Sequence, residues 1–436
     1  MKETNVILIG IDTLRADHLS CYGYFRKTSP NIDRLAKDSV VFTTAYATGI
    51  PTHPGWTTIL TGVHPLVHGI VSHVGTRKLS RDIPMVQEVL RTRGYRTGAV
   101  DNMFLKYGSF YDWFTRGFHI YSHPGAIPVS YAGLKVQANS VTERGVEVLR
   151  EFLKEGKPFF LFLHYWDPHA PYKPPEPFNK LFWNESIEKR FIREGYEKEE
   201  ILDYLISQYD GEIAYVDSEI GRFIEYLEDR GVLDESLVII TSDHGENLKQ
   251  HEGYLQHHGL YETITHIPLI VRFPEGTPSG TVNSLVQHTD IVATIYDVVG
   301  VEPRIRLYGR SLRKIVEGLE RGWNEILMIE NTHQKSIALR RGAWKLIYYL
   351  EKSYGGFPAG YIQLFNIERD PYELVNLAFQ EPELTLELKS KLDHTLKTIL
   401  QGRPNPLDQP ITRRRVEFYS EATKLVEKYG FTIRRD

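Results

Sequence analysis

The chain opens, straight after Met1–Thr4, on an almost unbroken apolar run, Asn5–Ile11 (N-V-I-L-I-G-I), that stops at Asp12. A strand with one wet face alternates apolar and polar residues, whereas a run that is apolar at nearly every position needs cover on both faces. The same texture returns at Arg96–Val100, Pro158–His164 (P-F-F-L-F-L-H), Leu237–Thr241 (L-V-I-I-T) and Pro268–Phe273 (P-L-I-V-R-F). Amphipathic helical patterns lie between these runs: Pro30–Ser39, Ile83–Arg93, Val136–Lys154 and Leu202–Arg230. In the last of these, Ile206, Ile213, Val216, Ile220, Phe223, Ile224 and Leu227 form one stripe. Val40–Tyr46 reads as strand or extended chain. Buried strands alternating with helices predict an α/β fold built on a large, mostly parallel central sheet flanked by helices.

From about residue 320 the alternation gives way to hairpin-like segments. Ser336–Arg340, Trp344–Leu350 and Tyr361–Asn366 read as antiparallel strands and Leu384–Leu400 as one amphipathic helix. The expected division is therefore an α/β domain over 1–320 and a smaller α+β domain over 321–436, containing an antiparallel sheet. It ends in a charged, partly helical tail, Arg413–Asp436, that packs back or joins a homo-oligomer. The 436 residues supply ample core, and a net charge of −4 gives no support for nucleic acid as a partner. A single cysteine, Cys21, excludes an intrachain disulfide and a cysteine-based zinc site. No stretch reaches the roughly 18 apolar residues of a membrane span, and the first apolar run is too short for a signal peptide, so a cytoplasmic protein with no membrane partner is expected.

The polar residues gather at one kind of place. Asp12, Asn102, His164 and Asp243-His244 all fall at the C-terminal ends of the apolar runs. In open α/β sheets that edge is where ligands bind. Asp12 alone also reads as a helix cap, and S-D-H-G alone as a turn. Together they are candidate ligands for one divalent cation. Residues 50–62, I-P-T-H-P-G-W-T-T-I-L-T-G, place Thr52 between two prolines. Pro51 and Pro54 stiffen the chain, and residues before proline avoid the helical region, so Thr52 is expected in a loop just ahead of a helix starting at Trp56. A hydroxyl on a metal loses its proton more readily, which makes Thr52 a candidate nucleophile as well as a ligand. Two further stretches, H-Y-W-D-P-H-A-P-Y (164–172) and H-E-G-Y-L-Q-H-H-G-L-Y-E (251–262), add His169, His251, His257 and His258. Histidines there could donate to anionic oxygens or protonate a leaving group. Trp56, Tyr107, Phe110, Trp113, Trp166 and Tyr172 read either as core or as a pocket for an apolar leaving group.

At this point the motifs resemble a known family. N-V-I-L-I-G-I-D-T-L-R-A-D-H-L-S-C-Y-G-Y, T-S-P-N-I-D-R-L-A, L-T-G-V-H-P-L-V-H-G-I, G-Y-R-T-G, D-P-H-A-P-Y, S-D-H-G-E and L-F-N-I-E-R-D-P-Y-E-L-V-N-L-A appear, in order, as in the pattern of the sulfatase family of the alkaline phosphatase superfamily. The resemblance runs from Asn5 to about Ala378 and implies an alkaline-phosphatase-like α/β domain with a small C-terminal antiparallel sheet. It implies that Asp12, Asp243 and His244 bind metal, and that Asn102 stands where many members have a substrate lysine. It also puts His169 and His258 on substrate-side basic positions, with His164 and His257 beside them.

Three departures change the expected chemistry. Sulfatases carry C/S-x-P-x-R, whose first residue becomes formylglycine; here the stretch is T-H-P-G-W, and threonine cannot yield that aldehyde. Trp56 replaces the arginine, and Thr13 replaces the second of the paired aspartates. Two-zinc relatives add Asp-x-x-x-His, but Asp210 here is followed by Ala214. The pattern is closer to the branch with an unmodified threonine. The resulting expectation is a hydrolase of small anionic esters, phosphodiester-type favoured, with one divalent metal (Mn, Zn or Ca) on Asp12, Thr52, Asp243 and His244, and without formylglycine. Thr52 would form the covalent intermediate, His258 or His169 would protonate the leaving oxygen, and Asn102, His164 and His257 would bind the anion. The alternatives are a sulfatase working through threonine and a non-catalytic anion- or metal-binding homologue.

Overall fold

The computed structural model describes residues 4–73, 75–103, 109–125, 127–129, 133–183, 198–248, 251, 257–274, 278–353 and 355–410. The tail Arg413–Asp436 and Tyr107 lie outside the described residues, as does the Phe110 side chain.

The apolar runs form the centre of an eight-stranded sheet. Its strands are β1 (Asn5–Ile11), β2 (Val40–Phe42), β4 (Arg96–Val100), β5 (Ile120–Ser122), β6 (Phe159–Tyr165), β7 (Ser236–Thr241), β8 (Leu269–Arg272) and β9 (Gly280–Val282), with β3 (Gly49–Ile50) set aside for the second sheet. Their spatial order is β9-β2-β8-β7-β1-β6-β4-β5. Pairings from β7 across to β5 are parallel, whereas β8 runs antiparallel to both β7 and β2. Val6, Ile7, Leu8 and Ile9 are wholly buried, as continuous apolar character requires.

Helices α2 (Ala138–Glu155) and α3 (Lys198–Asp229) cover one face. Close approach there depends on absent side chains: a Cβ on Gly98 would lie 2.8 Å from both Phe152 and Val148, and one on Gly145 would lie 2.8 Å from Leu163. Helix α1 (Thr52–Thr61) covers the other face with α4 (Thr289–Val299). It begins at Thr52, not after it, which corrects the loop expected there. Pro54 falls in the first turn, where its missing N–H has no intrahelical partner to lose. Burial of every α1 side chain outweighs the extended preference of the residue before it. No described helix is long and apolar enough to cross a membrane.

A second sheet has five strands, in the order β13 (Ile362–Asn366), β12 (Trp344–Tyr349), β11 (Lys335–Arg341), β10 (Glu325–Asn331) and β3. The first four are antiparallel, and α5 (Pro382–Leu400) packs on them through Leu388 and Leu392. The fifth comes from far upstream: β3 pairs in parallel with β10, Gly49 opposite Ile329 and Ile50 opposite Glu330. Two residues after β3 comes Thr52.

Candidate active site

Strands β1, β6 and β7 are neighbours, with Gly10 in register with His164 on one side and Thr241 on the other. They therefore finish together, and the residues just past their ends are thrown onto one edge. One ligand atom each from Asp12, Asp243 and His244 lies within 4.8 Å of the other two. All three residues are fully buried, yet among the described residues both Asp12 oxygens, Asp243 Oδ2 and His244 Nε2 have no hydrogen-bond partner. His244 Nδ1 is 2.8 Å from the Gly245 carbonyl, which can only accept, so the proton sits on Nδ1 and Nε2 presents its lone pair.

The electrostatics fit that geometry. Burial raises both carboxyls. At Asp12 the imidazoles of His164, His169 and His244 overcome burial and hold the group far below the usual carboxylate range. At Asp243 burial and the charge of Asp12 push it well above. Two carboxylates this close cannot both ionise without a cation between them. Burial, then His257, lowers His244 to about 4, keeping it neutral and able to ligate. Four buried acceptor atoms without partners among the described residues, hard oxygens plus one imidazole nitrogen, suit a divalent cation.

Thr52 reaches this edge on α1. It is 3% exposed and opens the helix. A Cβ on Gly55 would stand 2.9 Å from Asp243 Cβ and 3.0 Å from its carbonyl oxygen, so the first turn of α1 lies directly on Asp243. Thr52 and Gly55, three apart, share a helix face. Trp56, in the place of the expected arginine, is wholly buried; its ring packs where Gly10 leaves room, and its centroid is 4.5 Å from that of His164.

His164 sits between two acids. Nδ1 is 2.6 Å from Asp101 Oδ1 and Nε2 is 3.5 Å from Asp12 Oδ2. Burial works against its charge, but the hydrogen bond to Asp101 and the nearby Asp12 carboxylate win and lift it to about 9. Asp101 is held in turn by the Tyr121 hydroxyl and the Met103 N–H. Asn102, next to it, is buried, and its Oδ1 has no partner among the described residues.

The other imidazoles form an arc. Ring centroids step from His244 to His257 (5.0 Å), to His169 (4.9 Å), to Trp166 (5.9 Å) and to His164 (4.9 Å). His257 Nδ1 is 3.1 Å from Glu246 Oε1, and His169 Nδ1 donates to the Ala170 carbonyl at 2.7 Å. His258 is buried with its ring centroid 5.6 Å from that of His333. Burial, His333 and His257 together keep it well below its ordinary pKa. His251 stands apart from the arc, stacked flat on Tyr261 at 3.5 Å. Asp210 is filled by protein groups: His18 Nδ1 at 2.7 Å, Arg26 Nη1 at 2.7 Å and the Tyr24 hydroxyl at 2.8 Å.

Sequence reasoning passed over Asp101, Glu246 and His333. The first two carried a signal, since one adjoins Asn102 at a strand end and the other completes S-D-H-G-E. His333 carried none, because its position depends on how β10 pairs.

Residues 4–301 match the sulfatase family, and residues 250–401 match the family described as N-sulphoglucosamine sulphohydrolase, C-terminal. The N-acetylglucosamine-6-O-sulfatase of Bacteroides thetaiotaomicron is 23% identical, over 94% of this chain and 89% of its own. The multifunctional alkaline phosphatase superfamily protein PehA of Trinickia caryophylli is 26% identical, over 95% of this chain and 100% of its own. Among solved structures, one bound to its substrate D-glucosamine-2-N,6-O-disulfate superposes with a TM-score of 0.76 at 20% identity, covering 93% of this chain and 99% of that one. The phosphonate monoester hydrolase of Agrobacterium radiobacter gives 0.73 at 22% identity, covering 91% and 95%. The fold is thus shared nearly end to end, and the chain belongs to the sulfatase family, as an ester hydrolase of the alkaline phosphatase superfamily.

Proposed function

We propose that the protein is a metal-dependent hydrolase of small anionic esters that prefers phosphodiester-type substrates and works through a covalent intermediate on unmodified Thr52. One observation supports this reading: the first turn of α1, which begins at Thr52, lies against Asp243 through Gly55, so the helix start that carries the hydroxyl borders the cluster of Asp12, Asp243 and His244. Asp12, Asp243, His244 and Thr52 would hold one divalent ion, with Mn, Zn and Ca all compatible with the donors. Bound there, such an ion supplies Lewis-acid polarisation of an ester oxygen and a lower pKa for the hydroxyl.

The chain's own groups do the rest. The N-terminal backbone donors and dipole of α1 favour the anionic group. Thr52 Oγ, after its proton is lost to solvent, forms a bond to phosphorus or sulfur in line with the leaving oxygen. The bond to that oxygen breaks with its electron pair, and a proton from His258 or His169 ends on it. Asn102 holds a non-bridging oxygen, while His164 and His257 flank the anion. Water then cleaves the threonine ester.

A plain hydroxyl favours phosphorus, because its phosphoester is open to attack by water, whereas the sulfatase route depends on an aldehyde hydrate that threonine cannot form. Similarity to a phosphonate monoester hydrolase and to PehA supports that preference. Similarity to proteins named sulfatases supports a second reading, sulfate ester hydrolysis through Thr52. Metal-supplemented assays of aryl phosphodiester, phosphonate monoester and sulfate ester, side by side, separate the two; turnover of sulfate alone overturns the first. Thr52→Ala is expected to lose turnover by up to about 10⁶-fold, with metal content by elemental analysis partly retained. Full activity in that variant removes Thr52 from the mechanism.

A further inference from the structure

We propose that His333, delivered to the site by the second sheet, is a positioning residue for His258 and so sets which leaving groups the enzyme can expel. The inference rests on the reading of His258 as the group that protonates the leaving oxygen.

The placement comes from strand pairing. β3 and β10 run in parallel with Ile50 opposite Glu330. The residues beyond the two strands therefore emerge on the same side: Thr52 and His53 from one, Thr332 and His333 from the other. The two exits are tied together. The His73 N–H donates to Thr332 Oγ1 at 2.9 Å, the Ser72 hydroxyl donates to the Asn331 carbonyl at 2.5 Å, and the His73 ring packs on His53, its centroid 4.4 Å away.

His258 is fastened to the same strand end. Glu330 Oε2 accepts the N–H of Gly259 at 3.0 Å and the Gln334 amide at 3.0 Å. The His333 ring then meets the buried His258 ring, 5.6 Å between centroids and inclined by 57°. Two imidazoles in contact in a buried place cannot both be cations, so the pair carries at most one proton and acts as a unit. His333 packs on His258 and fixes its plane; an anionic ester bound beside the pair favours the protonated imidazole and so loads His258 with the proton it delivers. In that step Thr52 Oγ, its own proton already released to solvent, bonds to phosphorus or sulfur, the leaving oxygen departs with its electron pair, and the proton carried by His258 ends on that oxygen.

General acid help matters in proportion to the basicity of the oxygen that leaves. The test therefore compares a 4-nitrophenyl and a phenyl ester of the same phosphonate, or of the same sulfate if that is the class turned over. For His333→Ala and His333→Asn, the ratio of kcat on phenyl to kcat on 4-nitrophenyl ester is expected to fall at least about tenfold below wild type. The asparagine variant, which keeps a polar group of similar reach, should recover part of the loss and guards against a folding defect in the alanine variant. His258→Ala should show the same leaving-group signature, and the double variant should be little worse than either single change. An unchanged ratio, or an equal fall on both esters, overturns the proposal and leaves the hydrolase reading standing. A wild-type enzyme that turns over neither class of ester overturns that reading and this proposal with it.

Discussion

His164 is gripped from two sides, by Asp101 at 2.6 Å and by Asp12 at 3.5 Å, with the Trp56 ring edge-on above it. A partner one step behind a ligand fixes its orientation and basicity, and changing such a partner typically costs about 10–100-fold in metal affinity. Asp101 reaches the ligand candidate Asp12 only through His164, so Asp101→Asn is expected to weaken binding of Mn²⁺ by roughly tenfold, the lower end of that range. Calorimetric titration of the purified protein gives the number; an unchanged dissociation constant would show that Asp101 only fills space. The meeting of Asp12, Asp243 and His244 was legible in the sequence, because each comes just after an apolar run and neighbouring parallel strands end together. Asp101 was not, because the motif drew notice to the adjacent Asn102. Which atom of a side chain faces which neighbour is decided by packing, and no spacing encodes it. Trp56 is an example: its identity was plain, but its seat over Gly10 was not.

At the level of strands and helices, the end of β10 is held by a buried carboxyl. Burial lifts Glu330 from 4.5 to about 8, against the pull of its bonds to Gly259, Gln334 and Ser336. A folded pKa above the unfolded one means the folded chain binds the extra proton. The stability this contributes is full below about pH 4.5 and is lost as pH rises through about 8. Glu330→Gln should remove that slope: between pH 5 and pH 8 the parent should lose on the order of a few kcal/mol relative to the variant. Urea unfolding at the two pH values reads the difference, and parallel pH dependences would discount the buried carboxyl. Most elements were visible in advance, since apolar runs and helical stripes are periodic signals. Two features escaped. A strand buried on both faces looks the same whether its neighbour is parallel or antiparallel, so the reversal of β8 left no mark. The prolines around Thr52 read as breakers, although a first-turn proline is compatible with a helix.

Across the whole molecule, the five-stranded sheet is tied by buried charge to the segments packed on it. Lys345 on β12 is wholly buried, 2.9 Å from Glu262 and 3.2 Å from Glu373, and Tyr46 bridges Glu262 to Arg340 on β11 at 2.9 Å on each side. Removing one member of such a cluster leaves the others unpaired in a dry place, at about 3–5 kcal/mol. Lys345→Ala should lower the unfolding free energy by about that amount; a loss under about 1 kcal/mol would mean that water or rearrangement relieves the acids. The change of texture near residue 320 signalled the smaller sheet, but not that its fifth strand is drawn from residues ahead of Thr52. Pairing between distant segments carries no local signature. Its mechanical meaning is that the alcohol takes its bearing from outside the sheet that gathers the acids. A shortened chain ending before Glu325 would keep Asp12, Asp243 and His244 and lose the strand that braces the segment leading into Thr52.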